Sequence, residues 1–127
     1  MIAADTSSIV AFLTGEHAAD VTSIDAALAA GQLCLPPVVL TELLSDPKLP
    51  PRVAAILRQI PLLQVTDGFW DRAGILRSKV IARKRRARLA DSLIAQVCLD
   101  HGVALITRDG DFRAFAQLTG LSLLAGA

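Results

Sequence analysis

The chain has 127 residues, 53% of them hydrophobic but only 4% aromatic, and a formal net charge of +1. A chain of that size buries a real core without disulfides or a structural metal, and its aliphatic, aromatic-poor mix favours helices packed on a small sheet over a β-sandwich. No stretch reaches the roughly 18 uncharged residues of a membrane span, and the opening MIAADTSS lacks the basic and apolar regions of a secretion signal. Cys34 and Cys98 sit in apolar runs without metal-type spacing, which predicts small buried hydrophobes in a reducing cytoplasm.

The small net charge conceals an asymmetry. Residues 1–70 carry seven acids against three bases, whereas residues 71–127 carry ten bases against five acids. Seven of those bases fall between Arg77 and Arg88 with no acid among them. A local field of that sign suits a polyanionic partner.

In chain order, residues 1–4 form a short apolar strand ended by Asp5, and a helix over 8–13 follows with Thr6 or Ser7 as its cap. An amphipathic helix over 18–30 closes at Gly31, and a second strand over 33–35 is cut off by Pro36 and Pro37. Those prolines suit the first turn of a helix over 38–44, which contains Glu42. A helix over 50–60 stops at Pro61, residues 62–65 read as a strand, and Asp67 caps a long helix from 68 to about 83. Phe69 and Trp70 read as its core anchors, and His17 and His101 as capping or surface residues. After the basic run, residues 90–101 show helical periodicity and Gly102 stops it. A buried strand over 103–107, a short helix over 111–118 and a last strand over 121–124 complete the chain. Strands alternating with helices imply a mainly parallel sheet covered on both faces, in one three-layer α/β/α domain.

Ligands of open α/β sheets bind beyond the carboxyl ends of the strands. Asp5 follows the first strand, and Asp109 follows the strand over 103–107 closely, with Asp111 just behind. Either acid alone is compatible with helix capping. Glu42 lies in the apolar run VVLTELL, where a lone acid is compatible with a side chain reaching the surface. Asp91, in RLADSLIAQV, equally suits a favourable interaction with a helix N-terminus. Together, however, two strand-end acids and two helix acids in apolar surroundings form a cluster that stays ionised only with cations. Mg²⁺ fits such oxygen ligands, with Mn²⁺ as an alternative, and a site of this kind suits in-line phosphodiester hydrolysis.

With those residues in place, the sequence resembles the PIN domain. The carriers are Asp5 in IAADTSSIVAFL, Glu42 in LTELL, Asp91 in LADSLIAQVCLDHGVALIT, and Asp109 and Asp111 in TRDGDF. Order and spacing span nearly the whole chain, and the length is similar to that of the toxins of VapBC toxin–antitoxin pairs. The resemblance implies a metal-dependent ribonuclease with an acidic site of Asp5, Glu42, Asp91 and Asp109, and Asp111 as a fifth carboxylate. Which of Asp109 and Asp111 lies closer to the metal stays open. It further implies that Thr6 or Ser7 and Thr107 hydrogen-bond within the site. In-line hydrolysis assisted by such a metal would leave products with 5′-phosphate and 3′-hydroxyl ends. An antitoxin of the VapB kind and a homodimer are the partners the resemblance implies.

The basic residues Arg83, Lys84, Arg85, Arg86 and Arg88 are candidates for phosphate contact with RNA, against the alternative of a solvated helix end. Arg108 is compatible with a salt bridge to the acids or a phosphate contact. Two rival classes fit less well. A haloacid-dehalogenase-type phosphatase wants Asp where Ser7 stands, and a phospho-receiver wants a late Lys, but none follows Lys84. A PIN-like domain kept only as a binding scaffold is disfavoured by the intact acids.

Overall fold

A computed structural model describes residues 1–124. Four strands form one sheet: β1 (Ile2–Ala4), β2 (Leu33–Cys34), β3 (Ala104–Ile106) and β4 (Leu123–Leu124). Their order is β2-β1-β3-β4 and every pairing is parallel. Among the described residues there are also seven helices: α1 (Thr6–Leu13), α2 (Ala19–Ala29), α3 (Pro37–Leu44), α4 (Pro51–Gln59), α5 (Phe69–Ala82), α6 (Leu89–His101) and α7 (Phe112–Leu118). This is the three-layer α/β arrangement expected from the alternation of elements.

The strand order determines where a site can form. From β1 the chain crosses first to one side, making β2, and later to the other, making β3. The reversal leaves a crevice beyond the carboxyl ends of β1 and β3, which is where ligands enter sheets of this order. Ala3 pairs with Leu105 and Ala4 with Ile106, so the residues that follow both strands emerge side by side.

Both central strands are short and almost wholly buried. Ala3, Ala4, Leu105 and Ile106 are each 0% exposed. The two alanines let helices approach the sheet closely, and Phe112, Phe115, Ile24, Ile94 and Val97 fill the space around it. Helix boundaries follow local chemistry. Pro37 and Pro51 occupy the first turns of α3 and α4, where the missing N–H has no intrahelical acceptor to lose. Gly102 ends α6 in the left-handed conformation at φ 63°, open to glycine at little steric cost.

The structure corrects several sequence-based expectations. Helix α1 starts at Thr6, and its cap is Asp5, whose carboxylate accepts from the Ser8 backbone N–H, rather than Thr6 or Ser7. Asp5 thus serves the helix that follows it with the same side chain that faces the crevice. Residues 62–65 form no strand; Leu62 makes a single bridge with Leu35, because the segment has no further edge to pair with. Asp67 does not cap α5 with its side chain; that position belongs to Gly68 at φ 79°, where a Cβ would lie 2.8 Å from the Arg72 guanidinium. Phe69 is buried as expected, but Trp70 is 66% exposed, standing edge-on against Phe69, because the next residue on a helix turns about 100° away from the core.

The sheet's dependence on one packed seam gives a direct test. Leu105→Ala empties a fully buried position on a central strand and should cost about 2–5 kcal/mol of unfolding free energy in urea titration.

Candidate metal centre

The crevice collects acids from distant parts of the chain. Asp5 arrives on the end of β1, Asp91 in the first turn of α6, and Asp109 and Asp111 in the turn joining β3 to α7. Asp91, Asp109 and Asp111 each offer a carboxylate oxygen, and these atoms all lie within 4.8 Å of one another. Glu42 and Asp5 stand outside that closest group and are engaged differently.

Asp5 is 4% exposed and both of its oxygens are occupied by protein donors. Oδ1 accepts from the Ser7 hydroxyl at 2.9 Å and the Ser8 N–H at 3.2 Å, while Oδ2 accepts from the Thr107 hydroxyl at 2.6 Å. Burial pushes its carboxyl above the usual range, those three hydrogen bonds pull it back, and the charge of Asp109 adds to the rise. Glu42 is exposed and accepts a 2.6 Å hydrogen bond from Thr6, the residue directly after Asp5. Thr6 and Ser7 therefore divide their work, one binding Glu42 and the other Asp5.

The turn after β3 is ordered by its own side chains. Thr107 is fully buried, and its hydroxyl both donates to Asp5 and accepts from the Asp109 N–H at 3.0 Å. Asp109 Oδ1 in turn accepts from the Asp111 N–H at 2.9 Å. This chain fixes the two turn carboxylates relative to Asp5 without using all of their oxygens.

Asp91 is the exception in an otherwise satisfied site. Among the described residues, its Oδ2 is the one buried side-chain polar atom that lacks a hydrogen-bond partner. A buried carboxylate oxygen with no donor costs roughly 1–3 kcal/mol or more in an uncharged cavity. Burial and the negative charge of Asp109 raise the Asp91 carboxyl to about 6, with Arg88 opposing the rise. An oxygen set of this type, crowded and short of donors, fits a hard divalent cation such as Mg²⁺ or Mn²⁺.

The basic loop after α5 borders the same acids. Arg77 holds the loop by donating to the Ala87 carbonyl at 2.8 Å, and Ala87 itself is buried. Arg86 comes within 3.7 Å of Asp111, and Arg88 is the positive charge felt by Asp91. Arg85 instead turns toward α7, where it meets Gln117 at 3.3 Å. Arg108 does not reach the clustered acids and stays partly exposed. Its guanidinium pairs with Asp20 at 2.7 and 3.0 Å and with Glu16 at 2.8 Å. Asp20 and Ser8 do not stand out in the sequence; the one available signal is an acid inside an amphipathic helix, a pattern shared by many surface positions.

The sequence matches the model of the PIN domain over residues 2–118. The chain belongs to the PIN domain family. Solved structures of the same fold include VapBC2 from Rickettsia felis, bound to a promoter DNA fragment, at 18% identity, covering 98% of this chain and 98% of that one, with a TM-score of 0.73. VapBC-5 from Mycobacterium tuberculosis is 23% identical, with 98% and 97% of the two chains covered and a TM-score of 0.69. A toxin–antitoxin complex from Klebsiella pneumoniae is 18% identical, covers 100% of this chain and 98% of that one, and gives a TM-score of 0.73. No curated protein sequence matches.

The strain on Asp91 makes a pH-dependent prediction for the metal-free protein. A carboxyl raised from 3.8 to about 6 is easier to protonate folded than unfolded, so it favours the fold most below pH 4 and withdraws that support as pH climbs through 6. Asp91→Asn removes the ionisation, and the metal-free variant should therefore melt higher than the wild type above pH 6. The gap should close as the pH falls toward 4, as measured by calorimetry in the presence of chelator.

Proposed function

We propose that this PIN domain is a metal-dependent endoribonuclease and the toxin of a type II toxin–antitoxin pair. The observation that carries the reading is the unpartnered, buried Oδ2 of Asp91 set among the carboxylates of Asp109 and Asp111 at the crevice of the sheet. A fold needs no such arrangement for its own stability, and it tolerates one where a cation completes it.

In this reading Asp91, Asp109 and Asp111 hold Mg²⁺ or Mn²⁺. Asp5 adds charge beside them and orients the turn through Thr107. Glu42, steadied by Thr6, forms the acidic rim toward α3. A bound divalent ion supplies charge neutralisation, polarisation of the phosphodiester and activation of a water for in-line attack. The protein's part is to hold the carboxylates aligned and partly withdrawn from bulk solvent, while the cation would keep them ionised. The loop Arg83, Lys84, Arg85, Arg86 and Arg88 receives RNA phosphates, with Arg86 and Arg88 nearest the acids. Products carry 5′-phosphate and 3′-hydroxyl ends.

Toxin status is supported by the structural likeness, over nearly the full chain, to two VapBC structures and a further toxin–antitoxin complex. A VapB-like antitoxin is accordingly the expected protein partner, with a homodimer as the assembly and the cytoplasm as the compartment. Among the described residues no helix is long and apolar enough to cross a membrane.

Incubation of purified protein with single-stranded RNA and Mg²⁺ should give internal cleavage that chelator abolishes. Asp91→Asn should lower the rate by orders of magnitude while leaving the fold intact, since it replaces one ligand oxygen at constant volume. Full activity of that variant at limiting Mg²⁺ would remove the basis of the assignment.

The basic loop is tested separately by binding in the Asp91→Asn background, which holds RNA without cutting it. Replacing Arg86 and Arg88 with Ala should weaken RNA affinity and flatten its salt dependence, by roughly 0.7 in the log–log slope for each phosphate no longer neutralised. Fluorescence anisotropy across a salt series measures both quantities.

A further inference from the structure

We propose that Arg108 and Asp20 are positioning residues for the metal centre, acting as a clamp that sets the turn carrying Asp109 and Asp111. The inference rests on the metal-centre reading above and extends it to residues outside the cluster.

The turn from β3 to α7 has a placement problem. Residues 107–111 lie in no strand or helix, yet they carry two of the three clustered carboxylates. In extended chain successive side chains point to opposite sides. Thr107 and Asp109 accordingly face the crevice, while Arg108 between them faces α1 and α2, where it meets Asp20 and Glu16. One residue thus anchors the outer side of the turn while its neighbours work on the inner side.

Asp20 makes the anchor firm. It lies in the first turn of α2 and is 2% exposed, so its charge demands a partner. Arg108 meets both of its oxygens, through Nε at 2.7 Å and Nη2 at 3.0 Å, and Ser8 donates its hydroxyl at 2.9 Å. The fork holds the Asp20 carboxyl down at about 2. Ser8 is fully buried, and its backbone N–H is the donor that caps on Asp5.

These bonds close a ring. Asp5 accepts from Ser8, Ser8 donates to Asp20, Asp20 is gripped by Arg108, Arg108 is covalently joined to Thr107, and Thr107 donates back to Asp5. Thr107 then carries the constraint to Asp109, and Asp109 carries it to Asp111. Opening the ring at any point frees the turn to drift, although no member of the clamp belongs to the three-acid cluster. A planar fork is required: a lysine supplies the charge but neither the two-point grip nor the reach to Glu16.

The test titrates Mn²⁺ into metal-free protein by calorimetry, alongside melting temperatures. Wild type, Arg108→Gln, Arg108→Lys, Ser8→Ala and a core control, Leu57→Ala, are compared. Arg108→Gln, Arg108→Lys and Ser8→Ala should each weaken Mn²⁺ binding about tenfold or more, the usual effect of losing a group that orients metal ligands. Arg108→Gln combined with Ser8→Ala should be little worse than Arg108→Gln alone, since one ring is opened once. Leu57→Ala, buried on α4 away from the crevice, should lower the melting temperature with wild-type Mn²⁺ affinity. Wild-type affinity in Arg108→Lys, or an equal loss in Leu57→Ala, overturns the clamp and leaves the metal centre standing. Absence of Mn²⁺ binding by the wild type overturns the metal-centre reading itself. Ser8→Ala keeps the proposal falsifiable should Arg108→Gln fail to fold, because it opens the ring while the ion pair remains.

Discussion

A single hydrogen bond between Thr107 and Asp5 joins residues 102 positions apart at the floor of the crevice. Its setting is dictated by the sheet: β1 and β3 run parallel and in register, so the residues leaving them have nowhere to go but beside each other. Around that bond the chain arranges a helix cap, a turn and three carboxylates. Asp5 N–H, donating to the Ile106 carbonyl at 3.1 Å, continues the ladder by one more step and prevents the two exits from parting. Asp5 and the turn bearing Asp109 and Asp111 therefore leave the ends of two buried, paired strands, which hold their starting points side by side.

Charge is balanced locally around this floor, but in two different ways. Where an acid serves the fold, a base meets it directly: Asp20 has Arg108, and Asp100 has Arg72 at 2.7 Å. Both of those carboxyls are held below their usual range. Asp91 has only the longer-range field of Arg88 and is pushed upward instead. The contrast separates acids that complete the architecture from acids that await something else. PIN domain membership fits the second group, whereas Asp20, Asp100 and Glu16 lie outside the motifs and are each paired with an arginine.

Much of this was legible in the sequence, for identifiable reasons. The alternation of short apolar runs with amphipathic segments predicted the parallel sheet, and prolines and glycines marked most helix ends because their backbone preferences are local. Asp5, Asp91, Asp109 and Asp111 stood out because acids beside buried runs are rare. What escaped was decided by distant partners. Residues 62–65 have the composition of a strand, but only Leu62 finds an edge. Trp70 has the composition of a core residue, but its place on α5 turns it outward. The work of Arg108 depends on a buried acid 88 residues earlier, and no local pattern announces such a pairing.

The strand order also governs when the molecule becomes complete. Strand β1 leaves the ribosome long before β3, yet it lies in the interior of the sheet and one of its two neighbours begins only at Ala104. Until β3 emerges, β1 has an open edge, Asp5 lacks Thr107, and the turn bearing Asp109 and Asp111 has not been made. Non-local pairing of this kind is slow and comes late in folding. A nascent chain that stops before β3 therefore has only the β1–β2 pair of the sheet. Translation order thus leaves the crevice unformed until β3 and the turn behind it have been synthesised.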